Sequence, residues 1–256
     1  MPEDRPDCRV PSVYLQSFCG DDGGIDVFDR AAGEMHPDVS ARDHAPGRPL
    51  GEADGPLEKM LRVPGGGWPE VTGDILDDLD TPPAKSAAHH RLVSLVLELA
   101  SRTKFATPGA NDIISATVQW LVEQLPSEFD IQFPGPDHPP DGRAWAVARA
   151  YALVPQLLDM EAVLVLNENP DRPFIASDNP VVFYNQLLEA GDVPFVSTAP
   201  AALGMQICVP LGPEASLLLY DGGAYDVDLE DDAAYVRAGT EDVDRLNALQ
   251  YKNCHL

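Results

Sequence analysis

The sequence predicts an α+β fold, in which a layer of helices packs on a small, mostly antiparallel sheet. Helical periodicity is concentrated in residues 86–160, whereas strand-like apolar runs occupy residues 161–221. Helices and strands that are segregated in this way are typical of α+β folds, while alternating elements are typical of doubly wound sheets. Hydrophobic residues make up 44% of the 256-residue chain, which is enough to bury a sizeable core.

The N-terminal third of the chain has few regular patterns. The apolar segment 10–18 is followed by a turn signal at 21–24 and by alternating residues at 25–29, which are typical of a short strand. Residues 31–85 are rich in Pro, Gly, Asp and Glu and predict a long irregular loop region. We predict a single domain over residues 1–256, with 31–85 as a loop-rich insertion.

Three helices are predicted in the middle of the chain. The first has a broad apolar face over residues 92–99 and Ser86 as its N-cap. The second covers residues 111–125, and the proline that follows stops it. The third runs from about residue 143 to 160, and Pro155 is expected to kink it or end it.

The strands of the sheet are predicted in the C-terminal half, before a last helix at 242–253. Short apolar runs mark these strands at 161–166, 174–176, 181–185, 205–211 and 216–221. The second and third runs are predicted to form a hairpin, which the polar residues 177–180 interrupt. No internal repeat is visible along the chain.

The chain is strongly acidic, with 42 Asp and Glu against 17 Lys and Arg and a formal net charge of -25. Phosphate backbones and anionic membranes attract basic surfaces, so neither nucleic acid nor a membrane is an expected partner. The acidity either reflects adaptation of a whole proteome or forms a surface that repels nucleic acid or receives a cationic ligand. Both interpretations stay open at this stage.

Targeting signals and cofactor motifs are missing from the sequence. The first residues lack the basic and apolar regions of a signal peptide, and no apolar run approaches the about 18 residues of a membrane span. We therefore expect a cytoplasmic protein. The four cysteines, Cys8, Cys19, Cys208 and Cys254, have no metal-binding spacing and are expected to be reduced thiols. We predict no metal and no other cofactor.

The segment 174–185, FIASDNPVVFYN, is the best candidate for a functional site. In one interpretation Asp178 and Asn179 bond their own backbone and build a structural Asx-turn. In the other, the turn projects Ser177, Asp178 and Asn179 into a pocket, where the carboxylate is a general base and the amide orients a substrate. Ser177 is a catalytic candidate of this turn, although its surroundings do not match the nucleophile elbow of hydrolases.

Four further residues are candidates for the site. Residues 89 and 90 are both His and point in different directions on a helix, so they are not expected to share a metal; His90 is a candidate acid or base. Arg102 is expected to meet either an internal Asp or Glu or the carboxylate, sulfate or phosphate of a substrate. Tyr14 and Asn247 are candidates for substrate contacts.

Four blocks of the sequence form a recognisable pattern: residues 10–18 with 25–30, 99–108, 174–185, and 205–221 with 242–254. They cover both ends of the chain and most of residues 85–255. In these blocks the chain resembles the bacterial domain of unknown function family 4238. One departure is that family members tend to carry a His just before the N-terminal Val-Pro, where this chain has Cys8-Arg9. The resemblance implies no activity.

Three functions are compatible with these observations. The favoured one is a small-molecule enzyme without a redox cofactor, in which Asp178 is the base, Arg102 holds an anionic group, and Tyr14 or His90 assists. It would catalyse elimination, hydrolysis or intramolecular substitution such as ring closure, on a free or carrier-bound substrate in specialised metabolism. The second is a non-catalytic binding or assembly protein acting in a homo- or hetero-oligomer. The third, a metal-dependent nuclease or toxin, is disfavoured by the net charge.

Overall fold

The computed structural model describes residues 10–20, 22–41, 67–103, 142–190, 202–227, 229 and 235–254. The predicted helix at 111–125 and Cys8 lie outside these ranges. Within them, the strands are β1 Gly24–Asp29, β2 Glu34–Ser40, β3 Glu161–Asn167, β4 Val182–Tyr184, β5 Gln206–Gly212, β6 Ala215–Tyr220 and β7 Tyr235–Ala238. The α-helices are α1 Ser12–Leu15, α2 Trp68–Asp78, α3 Ala87–Ser101, α4 Gly142–Leu157, α5 Gln186–Ala190 and α6 Thr240–Asn253.

A five-stranded sheet forms the centre of the described fold, in the order β4-β5-β6-β3-β7. Its neighbouring strands are antiparallel except for β3 and β7, which pair in parallel. Strands β5 and β6 are buried along nearly their whole length, because their uninterrupted apolar runs are covered on both faces. The α+β class and the mostly antiparallel sheet are therefore confirmed.

The helical layer follows the sequence pattern closely. The hydroxyl oxygen of Ser86 accepts a hydrogen bond from the backbone N–H of His89 at 3.0 Å, so Ser86 caps α3 as predicted. Helix α3 packs against α4. Pro155 lies inside α4, and the helix ends two residues later at Leu157. None of the helices described has both the length and the apolar character that crossing a membrane requires.

Two ordered elements occur among the described residues of the range 31–85, which the sequence analysis treats as irregular. Strand β2 pairs with β1 in a separate two-stranded sheet. Helix α2 begins after Gly67. The N–H of Gly67 donates a hydrogen bond to the carboxylate of Glu70 at 2.5 Å. Pro69 is compatible with this helix because the first turn needs no backbone N–H from it. The prediction of an irregular loop was therefore wrong for these two segments.

The predicted hairpin between 174–176 and 181–185 is not formed. Residues 174–176 are extended but belong to no strand, whereas β4 pairs with β5 instead. The backbone N–H of Phe174 donates to the carbonyl of Pro213 at 2.8 Å. Further along, the backbone is bonded by side chains of α6, which replace the partner strand that the prediction assumed.

Candidate functional site

A groove of about 660 Å³ lies between the β1–β2 hairpin, the extended segment 173–178 and helix α6. Ser177 and Asp178 are both on its wall, whereas Asn179, the third residue of the predicted turn, is not among the lining residues. Its volume falls within the range of about 300–1,000 Å³ that is usual for small-molecule sites. The other lining residues used below are Asp22, Gly24, Asp26, Phe28, Arg30, Met35, Asp38, Ile175, Gln250, Tyr251 and Cys254.

Gln250 of α6 holds the turn that carries Asp178. Its side chain is 2% exposed, and its Oε1 accepts hydrogen bonds from the N–H of Ser177 at 3.2 Å and from the Ser177 hydroxyl at 3.0 Å. Its Nε2 donates to the carbonyl of Pro180 at 2.8 Å. One buried amide therefore bonds both sides of the turn, which fixes the backbone around Asp178.

Two more α6 side chains, three residues before and three residues after Gln250, bond the same segment. The three side chains together are called the clamp below. Asn247 donates to the carbonyl of Pro173 at 2.9 Å and accepts from the N–H of Ile175 at 3.0 Å. Asn253 donates to the carbonyl of Asn179 at 2.7 Å. Positions three apart lie on the same side of a helix, so α6 presents a row of amides to the extended segment. Asn247 was predicted to contact the substrate, but both polar atoms of its side chain bond the backbone of this segment.

The Ser177 hydroxyl takes part in closing the turn. The N–H of Asn179 donates to the hydroxyl oxygen of Ser177 at 3.2 Å, and the Asn179 amide lies 3.5 Å from the carbonyl of Asn253. The Ser177 hydroxyl is thus engaged as donor and acceptor, which suits positioning better than nucleophilic attack. Asp178 is half-buried on the groove wall and is the candidate of this turn for proton transfer.

The hairpin forms the opposite wall and carries a β-bulge. The pairing register shifts between Ile25 and Val27, and Asp38 has a φ of 55°. The carboxylate of Asp26 accepts from the N–H of Asp38 at 3.1 Å. A side chain at Gly24 would overlap the Asp38 carboxylate, so only glycine allows that carboxylate to lie there.

Arg30 joins the hairpin to the end of α6. Its Nη1 donates to the carbonyls of Cys254 at 3.2 Å and Tyr251 at 3.5 Å, and its guanidinium carbon lies 4.9 Å from the centre of the Tyr251 ring. The contacts with Cys254 and then with Tyr251 raise the pKa of Arg30 above its ordinary value. Sequence reasoning did not single out Arg30; an Arg at the end of a strand in so acidic a chain was the available signal.

The other predicted site residues do not line the groove. Tyr14 is 1% exposed, donates its hydroxyl to the carbonyl of Pro210 at 2.8 Å and packs edge-on against Trp68; burial raises its pKa well above the usual value. His90 is exposed in the first turn of α3. Arg102 is bonded to Glu98 at 2.5 Å and 2.9 Å, so its partner is the internal carboxylate, one of the two that were expected.

His89, which the sequence analysis passed over in favour of His90, is fully buried. Among the described residues, neither of its ring nitrogens makes a hydrogen bond of ordinary geometry, although the backbone of Met160 lies close to the ring. Burial lowers its pKa from the usual 6.5, because an imidazolium is disfavoured away from water. His89 is not a groove residue either, so the described part of the groove contains no histidine.

Metal binding has no visible basis in the described ranges, where no three His, Cys, Asp or Glu side chains converge to hold an ion. Among known proteins, a family model described as "Protein of unknown function (DUF4238)" matches residues 9–255. No curated protein and no solved structure matches the chain. Three of the four blocks that suggested the resemblance, at 25–30, 174–185 and 242–254, contribute residues to the groove.

Proposed function

The chain belongs to the DUF4238 family, and from its groove we propose that it is a small-molecule enzyme in which Asp178 acts as general base. The observation that carries the proposal is the position of Asp178, on the wall of a groove of about 660 Å³ and on a turn held by a buried amide. A general base needs both a place for the substrate and a fixed position beside it.

In the proposed reaction, the Asp178 carboxylate accepts a proton from a hydroxyl or amine of the substrate. The oxygen or nitrogen left behind either bonds to an electrophilic carbon or forms a double bond to the carbon that carries it, and in both cases a leaving group departs with the electron pair of the broken bond. These two cases are intramolecular substitution, such as ring closure, and elimination. In hydrolysis, Asp178 takes the proton from a water molecule instead, and the water oxygen bonds to the electrophilic carbon as the leaving group departs. Gln250 and Ser177 are positioning residues, since they hold the turn and do not themselves take the proton.

The position of Arg102 bears on the charge that is expected for the substrate. An anionic substrate was expected on the assumption that this side chain would be available to bind it. Glu98 bonds Arg102, and neither residue lines the groove, so Arg102 does not support that part of the hypothesis; the cationic side chain on the described lining is Arg30. We also propose a cytoplasmic location, which agrees with the three described cysteines being thiols rather than disulfides.

The test compares wild-type protein with Asp178→Asn on a mixture of small metabolites, followed by mass spectrometry. The matched control is Asp171→Asn, which removes the same charge from an exposed loop position on the same segment. We expect wild type and Asp171→Asn to consume one metabolite and form one product, and Asp178→Asn to do neither while it melts at the same temperature.

Turnover by Asp178→Asn at the wild-type rate would refute the role of Asp178. If Asp178→Asn fails to fold, Asp178→Ser serves as the second variant, since a short polar side chain can still cap the turn. Folded Asp178→Ser with full turnover would be equally decisive against the proposal.

A binding or assembly protein without chemistry is the second candidate. Its support is that Phe28, Met35, Ile175 and Tyr251 line the groove with 47%, 61%, 42% and 47% of their surface exposed. Exposed apolar side chains grouped in this way are common at binding surfaces, including those of oligomers. In the metabolite experiment, a compound or a protein chain retained by wild type but never converted would favour this candidate.

A further inference from the structure

We infer that the groove recognises an amphipathic organic cation, that is, a molecule with a protonated amine at one end and an apolar body. This inference deepens the proposed function and rests on it, because the same groove would hold the substrate. Three features of the lining carry it: the balance of charged side chains, the exposed apolar side chains, and the way one carboxylate is positioned on the hairpin.

Among the described residues, the charged side chains that line the groove are four carboxylates and one guanidinium. The carboxylates are Asp22, Asp26, Asp38 and Asp178, and the guanidinium is that of Arg30. Arg30 bonds two carbonyls at the end of α6 and lies over a ring, so its charge is directed at the protein itself. A carboxylate or phosphate entering the groove would therefore meet mostly like charge, while an ammonium would meet opposite charge.

The apolar part of the ligand is inferred from side chains that are unusually exposed. Phe28 and Met35 on the hairpin face the same groove as Ile175 and Tyr251 on the other wall. A ligand with an aliphatic or aromatic body would remove these surfaces from water, which is favourable. The ring of Phe28 can in addition attract an ammonium group to its face.

An organic cation fits the lining better than a metal ion does. A divalent ion in a protein needs several oxygen ligands that converge on one point. The carboxylates of the groove are instead distributed along its walls, and no three metal-binding side chains converge anywhere in the described ranges. Distributed carboxylates suit an ammonium, which makes separate hydrogen bonds to separate acceptors.

The Asp38 carboxylate is positioned by two features of the hairpin. Asp26 accepts from the backbone N–H of Asp38 within the bulge at 3.1 Å, and Gly24 leaves the space in which the Asp38 carboxylate lies. A methyl group at position 24 would occupy that space. Gly24→Ala therefore moves a carboxylate without changing the charge of the protein, which separates the effect of position from the effect of net charge.

Binding of an ammonium also fits the role of Asp178. The carboxylate would take one proton from the ammonium, which leaves a neutral amine with a lone pair. The amine nitrogen then forms a bond to an electrophilic carbon of the same molecule, while the bond to the leaving group breaks and its electron pair leaves with that group. This is the ring-closing case of the proposed reaction.

The test uses three probes with the same eight-carbon chain: n-octylamine, n-octanol and n-octanoate, each titrated into wild-type protein by calorimetry at pH 7. We expect n-octylamine to bind at least about tenfold more tightly than n-octanoate, with n-octanol between them. The double variant Asp26→Asn/Asp38→Asn should bind n-octylamine at least about fivefold more weakly than wild type, while its affinity for n-octanol should be nearly unchanged. Gly24→Ala should also lower the affinity for n-octylamine.

The control is Asp74→Asn/Asp77→Asn, which removes the same two charges from the exposed face of α2. Equal losses in the groove and control variants would mean that n-octylamine responds to net charge alone, and the inference would fall. It would fall equally if n-octanoate binds as tightly as n-octylamine, or if none of the probes binds.

These outcomes are separable from the test of Asp178. If n-octanoate is preferred while Asp178→Asn still abolishes turnover, the enzyme proposal stands and the substrate class is wrong. If the amine is preferred but Asp178→Asn retains turnover, the groove binds cations and its chemistry lies elsewhere.

Discussion

Replacing Gln250 with Leu tests whether the amide of α6 holds the turn at Asp178. The substitution places an apolar side chain of similar size in the buried position and removes three hydrogen bonds, to the N–H and hydroxyl of Ser177 and to the carbonyl of Pro180. Each such bond contributes about 0.5–1.5 kcal/mol net, so we expect a loss of about 2–4 kcal/mol in the free energy of unfolding.

For a chain of this length, that loss lowers the melting temperature by about 5–15 °C. Thermal and urea unfolding followed by circular dichroism measure it. The control is Gln186→Leu at an exposed position, which we expect to change stability by no more than about 0.5 kcal/mol. At temperatures well below its melting temperature, Gln250→Leu should also turn over the metabolite more slowly than wild type, because the turn is no longer fixed.

A double-mutant cycle with Ser177→Ala makes the test stricter. The two side chains share a hydrogen bond of 3.0 Å, so their combined cost should be about 1 kcal/mol smaller than the sum of the single costs. Strictly additive costs, or a Gln250→Leu protein as stable as Gln186→Leu, would refute the reasoning that the clamp is made by this amide.

Two further predictions concern α3. Ser86→Ala removes the N-cap bond to the N–H of His89 and should cost about 1 kcal/mol, whereas Ser86→Gly or Ser86→Asp should cost less in the same unfolding experiment. For His89 the folded pKa lies below 6.5, so its contribution to stability is full above pH 6.5 and is lost as the pH falls through the folded value. We therefore expect wild type to lose stability between pH 7 and pH 5, and His89→Leu to lose measurably less; equal losses would contradict this account.

The parts of the fold that could be predicted from the sequence are those decided by local pattern. Strands β3, β5 and β6 are uninterrupted apolar runs, and Ser86 precedes a helical apolar face, so neighbouring residues alone determine the structure. Helix α2 was missed because Gly67 and Pro69 read as loop residues, although both are favourable at a helix N-terminus.

The candidate site was only partly predictable, because its geometry depends on distant residues. The turn at 177–179 was found from its sequence, but its support comes from α6, some 70 residues later, and a pattern within 174–185 cannot reveal that. Asn247 and Gln250 show a three-residue spacing that indicates one helix face, not what that face binds. Arg102 and Tyr14 could be proposed as site residues from their residue type. Only the packing of the fold shows that they lie outside the groove.

The contact between Arg30 and the end of α6 bears on the order of events during synthesis. Arg30 bonds a carbonyl 224 positions later in the chain, so the hairpin leaves the ribosome long before the helix that completes the groove exists. N-terminal parts of a chain generally begin to fold first during translation. Phe28 and Met35 are therefore without their facing wall through most of elongation, and the groove is complete only after residue 254 has emerged.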